Sequence, residues 1–300
     1  MKTAVAISLL LLLALPVAAR PVFSPDRAWE HLLAQCEMGP RNPGSPGHAA
    51  CLQWMVETLE GWGYSVERHA FSMDDPYGEG QLHLTNIRAW TPGGGEAPLA
   101  LAAHWDTRPR ADMDPDPARR EEPILGASDG ASGVAVLLEL ARLCAAEPPD
   151  MPVEFLFFDG EDYGLAGRHE HYLLGSRRFV RDHPDYRPRL LILLDIVGGR
   201  TLRLPMEGHS LRSAPRQMDE LYAMAEDLGL SAFRRLRGPT VWDDHVPFIE
   251  KGIPAIDLVD LSYPQWHTVA DTPEACSPGS LAQVGDLMTY MLWESGGLGK

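Results

Sequence analysis

The chain has 300 residues and a formal net charge of −16, and 45 % of its residues are hydrophobic. This apolar content is sufficient for a sizeable buried core, and it argues against a largely disordered chain. The negative charge argues against a phosphate-rich partner, such as a nucleic acid or an anionic membrane surface.

The first twenty residues are typical of a cleavable secretory signal. Lys2 precedes an apolar run over residues 4–17, and small residues follow that run. The run is shorter than the ~20 residues that a membrane-spanning helix needs. We therefore predict a signal peptide over residues 1–19 and a single catalytic domain over residues 20–300. The mature protein is expected to be secreted or periplasmic, with no membrane segment.

The four cysteines lack the paired spacing that is typical of thiolate zinc sites. Any metal ion would therefore be bound by histidine and carboxylate groups. Export permits disulfides, and a Pro- and Gly-rich loop between Cys36 and Cys51 could bring these two residues together. Their pairing is a hypothesis, and two free thiols are the alternative.

The spacing of apolar residues predicts a sheet covered by helices. Helical patterns at residues 26–37 and 48–62 are followed by strand patterns at residues 65–71 and 81–90. From residue 98 onward, apolar strand-like runs alternate with helical patterns. The strand-like runs are residues 99–103, 153–158, 190–194 and 253–259, and the helical patterns are residues 130–146, 174–181, 211–228 and 278–293. We expect an α/β fold, a three-layer α/β/α sandwich with a central mixed sheet.

Polar side chains follow three of these strands at the point where each strand ends. His104 and Asp106 follow the first strand, Glu161 and Asp162 follow the second, and Asp195 follows the third. Each carboxylate alone could be an ordinary loop residue. Because open α/β sheets bind their ligands beyond the carboxyl ends of the strands, three such strand ends together favour a functional site.

Two further segments add candidate metal ligands. Asp129 precedes the helix at residues 130–146 among small residues, which would let a metal ion and a substrate approach the backbone, although Asp129 could also merely cap that helix. His267 lies between Trp266 and Thr268 on a loop before the last helix, where a ligand role is more natural than a place in the core. Imidazole and carboxylate donors without thiolate suit a catalytic zinc site, which keeps a fourth position open.

These segments resemble the zinc-dependent aminopeptidase superfamily and, within it, the glutaminyl cyclases, particularly the bacterial members of the animal-type enzyme. The resemblance covers nearly the whole chain after the leader. It is carried by residues 104–109, 126–133, 161–164, 175–177, 194–199, 243–248 and 266–268. The Glu-Asp pair and the Asp-Gly pair are shared by the superfamily, whereas the Asp-Asp-His-Val-Pro-Phe run and the Trp before the last His look like the cyclase branch.

The resemblance implies a reaction and a set of roles. It implies that three side chains bind one zinc ion: Asp129, Asp162 and His267. Glu161 is then the general acid and base, with Asp195 and Asp244 as its hydrogen-bonding partners. The implied reaction closes the N-terminal glutamine of a peptide to pyroglutamate and releases ammonia. Because packed carboxylates cannot all ionise cheaply, one of Glu161, Asp195 and Asp244 is expected to have a raised pKa and to share a proton with a neighbour.

The resemblance also implies the surroundings of the metal ion. Trp266 forms a wall of the substrate pocket. Tyr172 stands where bacterial cyclases carry a tryptophan, so the shape of the pocket is expected to differ there. His104 and Asp106 match positions beside the metal site in cyclases and metal-site positions in the peptidases.

Two other functions remain open. In a two-zinc aminopeptidase, two metal ions would be bound by one set of side chains: His104, Asp129, Asp162, Asp195 and His267. Glu161 would then activate a water molecule, and only the Asp-Asp-His run and Trp266 favour the cyclase. A non-catalytic binding ectodomain is the third reading, and the complete set of residues argues against it. The expected partner of either enzyme is a peptide or protein N-terminus, and we expect a monomer.

Overall fold

The computed structural model describes residues 20–91, 97–295 and 298, so the predicted leader at residues 1–19 lies outside the described residues. In this part of the chain the strands are β1 (Ser65–Asp74), β2 (Gln81–Trp90), β3 (Leu99–His104), β4 (Val153–Phe158), β5 (Leu190–Asp195), β6 (Leu204–Met206), β7 (Phe233–Arg237) and β8 (Ala255–Val259). The α-helices are α1 (Pro25–Glu37), α2 (Pro46–Gly61), α3 (Ala131–Ala146), α4 (Leu174–Asp182), α5 (Gly208–Ser213), α6 (Pro215–Asp227), α7 (Val246–Glu250) and α8 (Pro278–Trp293). Short 3₁₀ helices lie at Pro117–Arg119, His169–His171 and Pro273–Ala275.

Six strands form the central sheet in the order β1-β2-β4-β3-β5-β8. The β1–β2 hairpin is antiparallel and joins β4 in antiparallel pairing, whereas β4, β3, β5 and β8 are parallel to one another. Strands β3, β4, β5 and β8 are buried along their whole length, which explains why their sequences are nearly continuous apolar runs. Their carboxyl ends therefore meet at one edge of the sheet.

Helices cover both faces of this sheet. Residues of α1, α2, α3, α6 and α8 share a core with one face, which contributes side chains such as Leu101, Phe155 and Ile192. The other face contributes Leu156 and Leu191 and packs against α4 and α7. The predicted three-layer sandwich with a mixed sheet is confirmed.

Several element boundaries differ from the sequence prediction. The helix predicted over residues 211–228 is two helices, α5 and α6, because Pro215 cannot continue a helix and the preceding Ala214 leaves the helical region with φ −134°. The strand predicted from residue 253 begins at Ala255, directly after Pro254. The β6–β7 pair was not predicted, because β7 has only one buried residue, Phe233, and no apolar alternation. Helix α7 was not predicted either.

The cysteines remain separate. All four are buried free thiols, so the hypothesised pairing of Cys36 with Cys51 is wrong for this structure. Burial raises the pKa of Cys36 to about 11 and that of Cys51 to about 12, which keeps the reactive thiolate scarce. None of the helices in the described ranges combines the length and apolar character that a bilayer crossing requires.

Arg41 ties the N-terminal segment to the loops that follow β3. Its side chain is fully buried, and its guanidinium donates hydrogen bonds to the carbonyl oxygens of Trp105, Leu125 and Gly126 at 3.1, 3.0 and 2.8 Å. Its backbone N–H donates to the hydroxyl of Thr107 at 2.8 Å. A single side chain thus fixes both ends of the segment between β3 and α3.

Replacing Arg41 with Met should destabilise the protein. The variant leaves the carbonyl oxygens of Trp105 and Leu125 without donors, whereas that of Gly126 still accepts the N–H group of Ala131. Each unsatisfied buried group costs ~1–3 kcal/mol, so we expect a loss of about 2 kcal/mol or more in the free energy of unfolding. Urea unfolding measures it, with Arg27→Met on the exposed side of α1 as the matched control. Equal unfolding midpoints for the two variants would contradict this role of Arg41.

Candidate active site

The carboxyl edge of the sheet brings the side chains of the strand ends together. His104 is the last residue of β3 and is buried, with 1 % of its surface exposed. Its Nε2 atom lies 3.1 Å from Oδ1 of Asp195, the last residue of β5, and 3.2 Å from Oδ1 of Asp129. Burial alone would lower the pKa of His104, but Asp106, Asp129 and Asp195 raise it well above its usual value.

Three side chains form a group that can hold a metal ion. One ligand-type atom from each of Asp129, Asp162 and His267 lies within 4.8 Å of the others. Nε2 of His267 is 3.3 Å from Oδ2 of Asp162 and 3.6 Å from Oδ2 of Asp129. These two carboxylate oxygens are buried and have no hydrogen-bond partner.

The donor set of this group fits zinc. Donors at zinc-binding distance from one ion, about 2.1 Å, are separated by about 3.4 Å in tetrahedral geometry. The observed separations of 3.3 and 3.6 Å match that spacing. The group therefore brings together the three residues that the resemblance implies as ligands.

The turn before α3 aims Asp129 into this group. Gly130 has a φ of 110°, and a Cβ atom there would lie 2.8 Å from Cε1 of His104, so only glycine fits. The carboxylate of Asp271 accepts the backbone N–H groups of Ser128 at 2.8 Å and Asp129 at 3.1 Å. This contact explains why a buried acid lies in the loop after His267.

The turn after β4 is held by Asp106. Its carboxylate accepts the backbone N–H groups of Glu161 at 3.1 Å and Asp162 at 3.4 Å. Among the described residues, the groups that can hold a metal ion do not include Asp106, whereas His104 forms one with Asp129 and Asp195. Asp106 thus supports the site through the backbone.

Arg108 connects Asp162 to Asp112 and Tyr172. This role of Arg108 was not predicted from the sequence. Its Nη1 atom donates to Oδ1 of Asp162 at 2.5 Å, and the guanidinium forms two hydrogen bonds with Asp112 at 2.8 and 2.7 Å. Burial alone would raise the pKa of Asp162, but Arg108 and then His267 hold it below its usual range. Nη2 of Arg108 also donates to the hydroxyl of Tyr172 at 3.0 Å, so Tyr172 lies beside Asp162 through Arg108.

The three candidate catalytic carboxyl groups differ in their surroundings. Glu161 is partly exposed, and burial of its carboxyl group and then the charge of Asp162 raise its pKa well above the usual value. Asp244 accepts a hydrogen bond from the hydroxyl of Ser176 at 2.5 Å, and burial raises its pKa to about 7. Asp195 contacts His104. Glu161 and Asp244 thus both have the raised pKa that was expected of one group, and the sharing of a proton between neighbours stays a prediction.

Trp266 lies at the rim of the metal-ligand group. Its ring is partly exposed, and its centroid is 3.9 Å from that of His267. His267 itself has a φ of 56°, a left-handed conformation that non-glycine residues adopt mainly where the surrounding structure enforces it. The loop thus presents a flat aromatic face next to the imidazole of a residue whose backbone is strained.

Two buried residues of the site were not recognised from the sequence. His48 was not among the predicted site residues, but its ring stacks on Trp105 at 4.4 Å between ring centroids and its Nε2 lies 3.0 Å from both carboxylate oxygens of Asp159. Asp243 was predicted only as part of the Asp-Asp-His run, without a role of its own. It is buried, and its charge contributes to the raised pKa of Glu161. The only indication in the sequence was that two acids, Asp243 and Asp244, are adjacent. The sequence does not show which of them faces inward.

Comparisons with known proteins agree with this geometry. Residues 86–292 match the sequence profile of Peptidase family M28. The structure of Porphyromonas gingivalis glutaminyl cyclase is 36 % identical, with a TM-score of 0.86, and covers 90 % of this chain and 98 % of its own. A leucine aminopeptidase precursor from Bacteroides thetaiotaomicron is 33 % identical, with a TM-score of 0.89, over 93 % of this chain and 100 % of its own. Glutaminyl-peptide cyclotransferase of Bothrops jararaca is 28 % identical over 298 residues, covering 86 % of this chain and 78 % of its own.

Replacing Asp271 with Asn should weaken zinc binding. The amide keeps one acceptor oxygen, so it can satisfy only one of the two N–H groups that position Asp129, and losses of this kind reduce metal affinity about 10- to 100-fold. Competition with a chromogenic chelator measures the affinity, and Asp227→Asn at the exposed end of α6 is the control. Wild-type zinc affinity in Asp271→Asn would show that these hydrogen bonds do not position Asp129.

Proposed function

Because the chain belongs to peptidase family M28, we propose that its crevice binds zinc and cyclises the N-terminal glutamine of peptides to pyroglutamate. The chain is an enzyme of the glutaminyl-peptide cyclotransferase kind, as its relatives indicate. The observation that carries the proposed chemistry is the convergence of Asp129, Asp162 and His267 in one buried group, with Glu161 next to Asp162 in the chain.

The proposed ligands are Asp129, Asp162 and His267. Their unpartnered oxygens and the spacing of their donors support one zinc ion at this group. When bound, zinc would supply a Lewis acid that polarises the γ-carbonyl group of the substrate glutamine. The remaining steps are the work of the protein side chains.

Glu161 is proposed to transfer the proton. The α-amine nitrogen of the substrate forms a bond to its own γ-carbon, the bond from that carbon to the side-chain nitrogen breaks, and ammonia leaves. Glu161 accepts a proton from the attacking amine and returns it to the departing nitrogen, a role that contributes about 10²- to 10⁴-fold. Because the reaction is intramolecular, the site gains further by folding the glutamine side chain into the attacking shape.

Two aromatic residues are proposed to hold the substrate glutamine in its folded, attacking conformation. The partly exposed face of Trp266 next to His267 offers an apolar wall for the short substrate side chain. The hydroxyl of Tyr172 accepts a hydrogen bond from Arg108, which also binds Asp162 and would hold the Tyr172 ring in place. The peptide beyond the first residue would extend toward solvent.

Asp195 and Asp244 are proposed to support Glu161. Asp195 contacts His104, which would keep the imidazole fixed behind the ligand group. Asp244, with a pKa raised to about 7, can carry the proton of a hydrogen bond to a neighbouring carboxylate near neutral pH. The signal peptide predicted from the sequence of residues 1–19 would direct the enzyme outside the cytoplasm, where it would act on exported peptides or proteins.

A two-zinc aminopeptidase is the second candidate function. It is favoured by a specific observation, a second possible metal-binding group formed by His104, Asp129 and Asp195 that shares Asp129 with the first. In that enzyme Glu161 would activate water to release an N-terminal residue.

A glutamine-initiated peptide separates the two candidate functions. We expect ammonia to be released while the peptide keeps its length, and we expect a zinc chelator to abolish the reaction. Coupled ammonia detection and mass spectrometry of the peptide measure both products. Release of a free amino acid instead would establish the aminopeptidase and contradict the cyclase.

Replacing Glu161 with Gln should abolish turnover and leave the metal content unchanged. The amide cannot accept the proton of the attacking amine, so we expect kcat to fall by about 100-fold or more. Ammonia release measures kcat, elemental analysis measures zinc, and Glu170→Gln in an exposed 3₁₀ helix is the matched control. Near-normal rates in Glu161→Gln would show that another group is the base.

A further inference from the structure

An open groove lies on the small sheet that β6 and β7 form. Its volume is about 630 Å³. Its basic and apolar lining consists of Arg203, Pro205, Arg234, Leu236, Pro239 and Leu261, and we refer to it as the arginine groove. Leu236 and Leu261 are 57 % and 38 % exposed, and only three other large apolar side chains are exposed in the described part of the chain. Apolar side chains that are exposed together in a concave surface are typical of a binding site.

The alternation of side chains along β7 leaves one face of this sheet uncovered. Phe233 and Arg235 face α6, where Phe233 packs edge-to-face on a tyrosine ring and Arg235 forms ion pairs with two carboxylates, at 2.5 and 3.0 Å. Because successive residues of a strand point to opposite faces, Arg234 and Leu236 point away from α6. They line the groove beside Pro205, which neighbours β7 on β6. Both are exposed, so no helix or strand of the described residues packs over them.

The two arginines of the groove lack a counter-charge. In the described ranges, neither the guanidinium of Arg203 nor that of Arg234 lies within ion-pair distance of a carboxylate, whereas that of Arg235 contacts two. Asp260 borders the groove, but its two carboxylate oxygens accept the backbone N–H groups of Arg203 and Ser262, each at 2.9 Å. The chain has a net charge of −16, so this basic groove runs against its overall charge. Guanidinium groups bind carboxylates through paired hydrogen bonds, so the complement of the groove is an acidic side chain.

Two short segments connect the arginine groove with the active site. A second cavity, of about 460 Å³, shares Arg203 and Ser262 with the groove. It extends along the loop as far as the residue before Trp266, the proposed wall of the substrate pocket. Ser262 and Trp266 are four positions apart in the chain, which is at most about 14 Å. Pro239 of the groove is five positions from Asp244, which is at most about 18 Å.

These distances match the length of a short peptide. An extended chain rises by about 3.3 Å per residue, so about four or five residues span the distance from the crevice to the groove. The long side chains of Arg203 and Arg234 shorten that distance further. With its N-terminal glutamine in the crevice, a bound peptide would therefore have its third to fifth residues opposite the groove.

We propose that the arginine groove binds the substrate chain beyond its N-terminal glutamine and selects peptides with an acidic side chain at the third to fifth position. The carboxylate of that side chain would bind Arg203 or Arg234, and an apolar neighbour would pack on Leu236 and Leu261. This inference rests on the proposed function, because the register of the peptide is set by a glutamine in the crevice. The groove does not touch the reacting atoms, so its contribution belongs to substrate binding and to KM.

Two peptides that differ in one charge test this groove, Gln-Gly-Gly-Glu-Leu-Gly and Gln-Gly-Gly-Lys-Leu-Gly, with KM measured from ammonia release. The wild-type protein should have the lower KM for the glutamate peptide, and high salt should reduce the difference, because it screens exposed charges. In Arg203→Gln/Arg234→Gln, the KM for the glutamate peptide should rise about 3- to 10-fold, as expected of two exposed ion pairs.

Two further variants control for charge and for position. Arg187→Gln/Arg189→Gln removes the same charge from exposed residues before β5, at the opposite edge of the sheet, and should keep the wild-type preference. Arg203→Glu/Arg234→Glu should reverse the preference, so that the lysine peptide has the lower KM.

Equal wild-type KM values for the two peptides would overturn the proposal, and so would a preference that survives in Arg203→Gln/Arg234→Gln. The dipeptide Gln-Gly is too short to reach the groove, so its turnover by the wild-type protein tests the cyclase separately. Turnover of the dipeptide with equal KM values for the longer peptides refutes the groove alone. If no peptide is turned over, the cyclase is refuted, and fluorescence anisotropy of the two longer peptides, labelled at the C-terminus, decides the groove. Tighter binding of the glutamate peptide that Arg203→Gln/Arg234→Gln abolishes supports it, and equal binding refutes it.

Discussion

The neutralisation of buried negative charge at the carboxyl edge of the sheet is the constraint on which the rest of this structure depends. Strands that are buried on both faces end at this edge. The loops that follow them contain several carboxylates that are buried out of contact with water. Inside the crevice, two cationic side chains meet these acids directly: Arg108, which binds Asp162, and His104, which contacts Asp129 and Asp195. They do not balance the set, so the fold is complete only with bound cations or protons.

The buried acids divide into two classes by what their oxygens contact. Asp106, Asp271 and Glu207 accept backbone N–H groups, and each of them fixes the turn that carries a neighbouring functional residue. Asp129 and Asp162 instead point unpartnered oxygens at His267, as Asp243 and Asp257 do near His245. The first class is structural, because its hydrogen bonds are already made. The second class has capacity left for a proton or a ligand, and the proposed zinc site belongs to it.

The sequence predicts the sheet and the position of the crevice because both follow from local pattern. An apolar run that ends in a polar residue indicates a buried parallel strand and its carboxyl end, and β4 and α8 even have the predicted limits. Contacts between distant segments leave no such pattern. Arg108 binds Asp162 only because two loops meet, and the inward orientation of Asp243 depends on the turn before α7. His48 was missed for the same reason, since its partner Asp159 lies 111 positions away in the chain. Pro215 itself indicated that the helix predicted over residues 211–228 is interrupted. The interruption was not predicted, because the helical spacing of apolar residues continues on both sides of Pro215.

Asp129 belongs to two groups of possible metal ligands, one with His104 and one with His267. Their distances support a single metal ion, at the group that contains His267. Nε2 of His104 lies 3.1 and 3.2 Å from oxygens of Asp195 and Asp129, which are hydrogen-bond distances. When Nε2 carries the proton of such a hydrogen bond, that nitrogen has no lone pair for a metal ion. The distances from His267 to its carboxylates are longer, at 3.3 and 3.6 Å, and the facing oxygens are unpartnered. The cyclase that we propose would combine one metal ion at His267 with a hydrogen-bonded imidazole at His104, whereas a two-metal peptidase would need the Nε2 lone pair of His104 for its second ion.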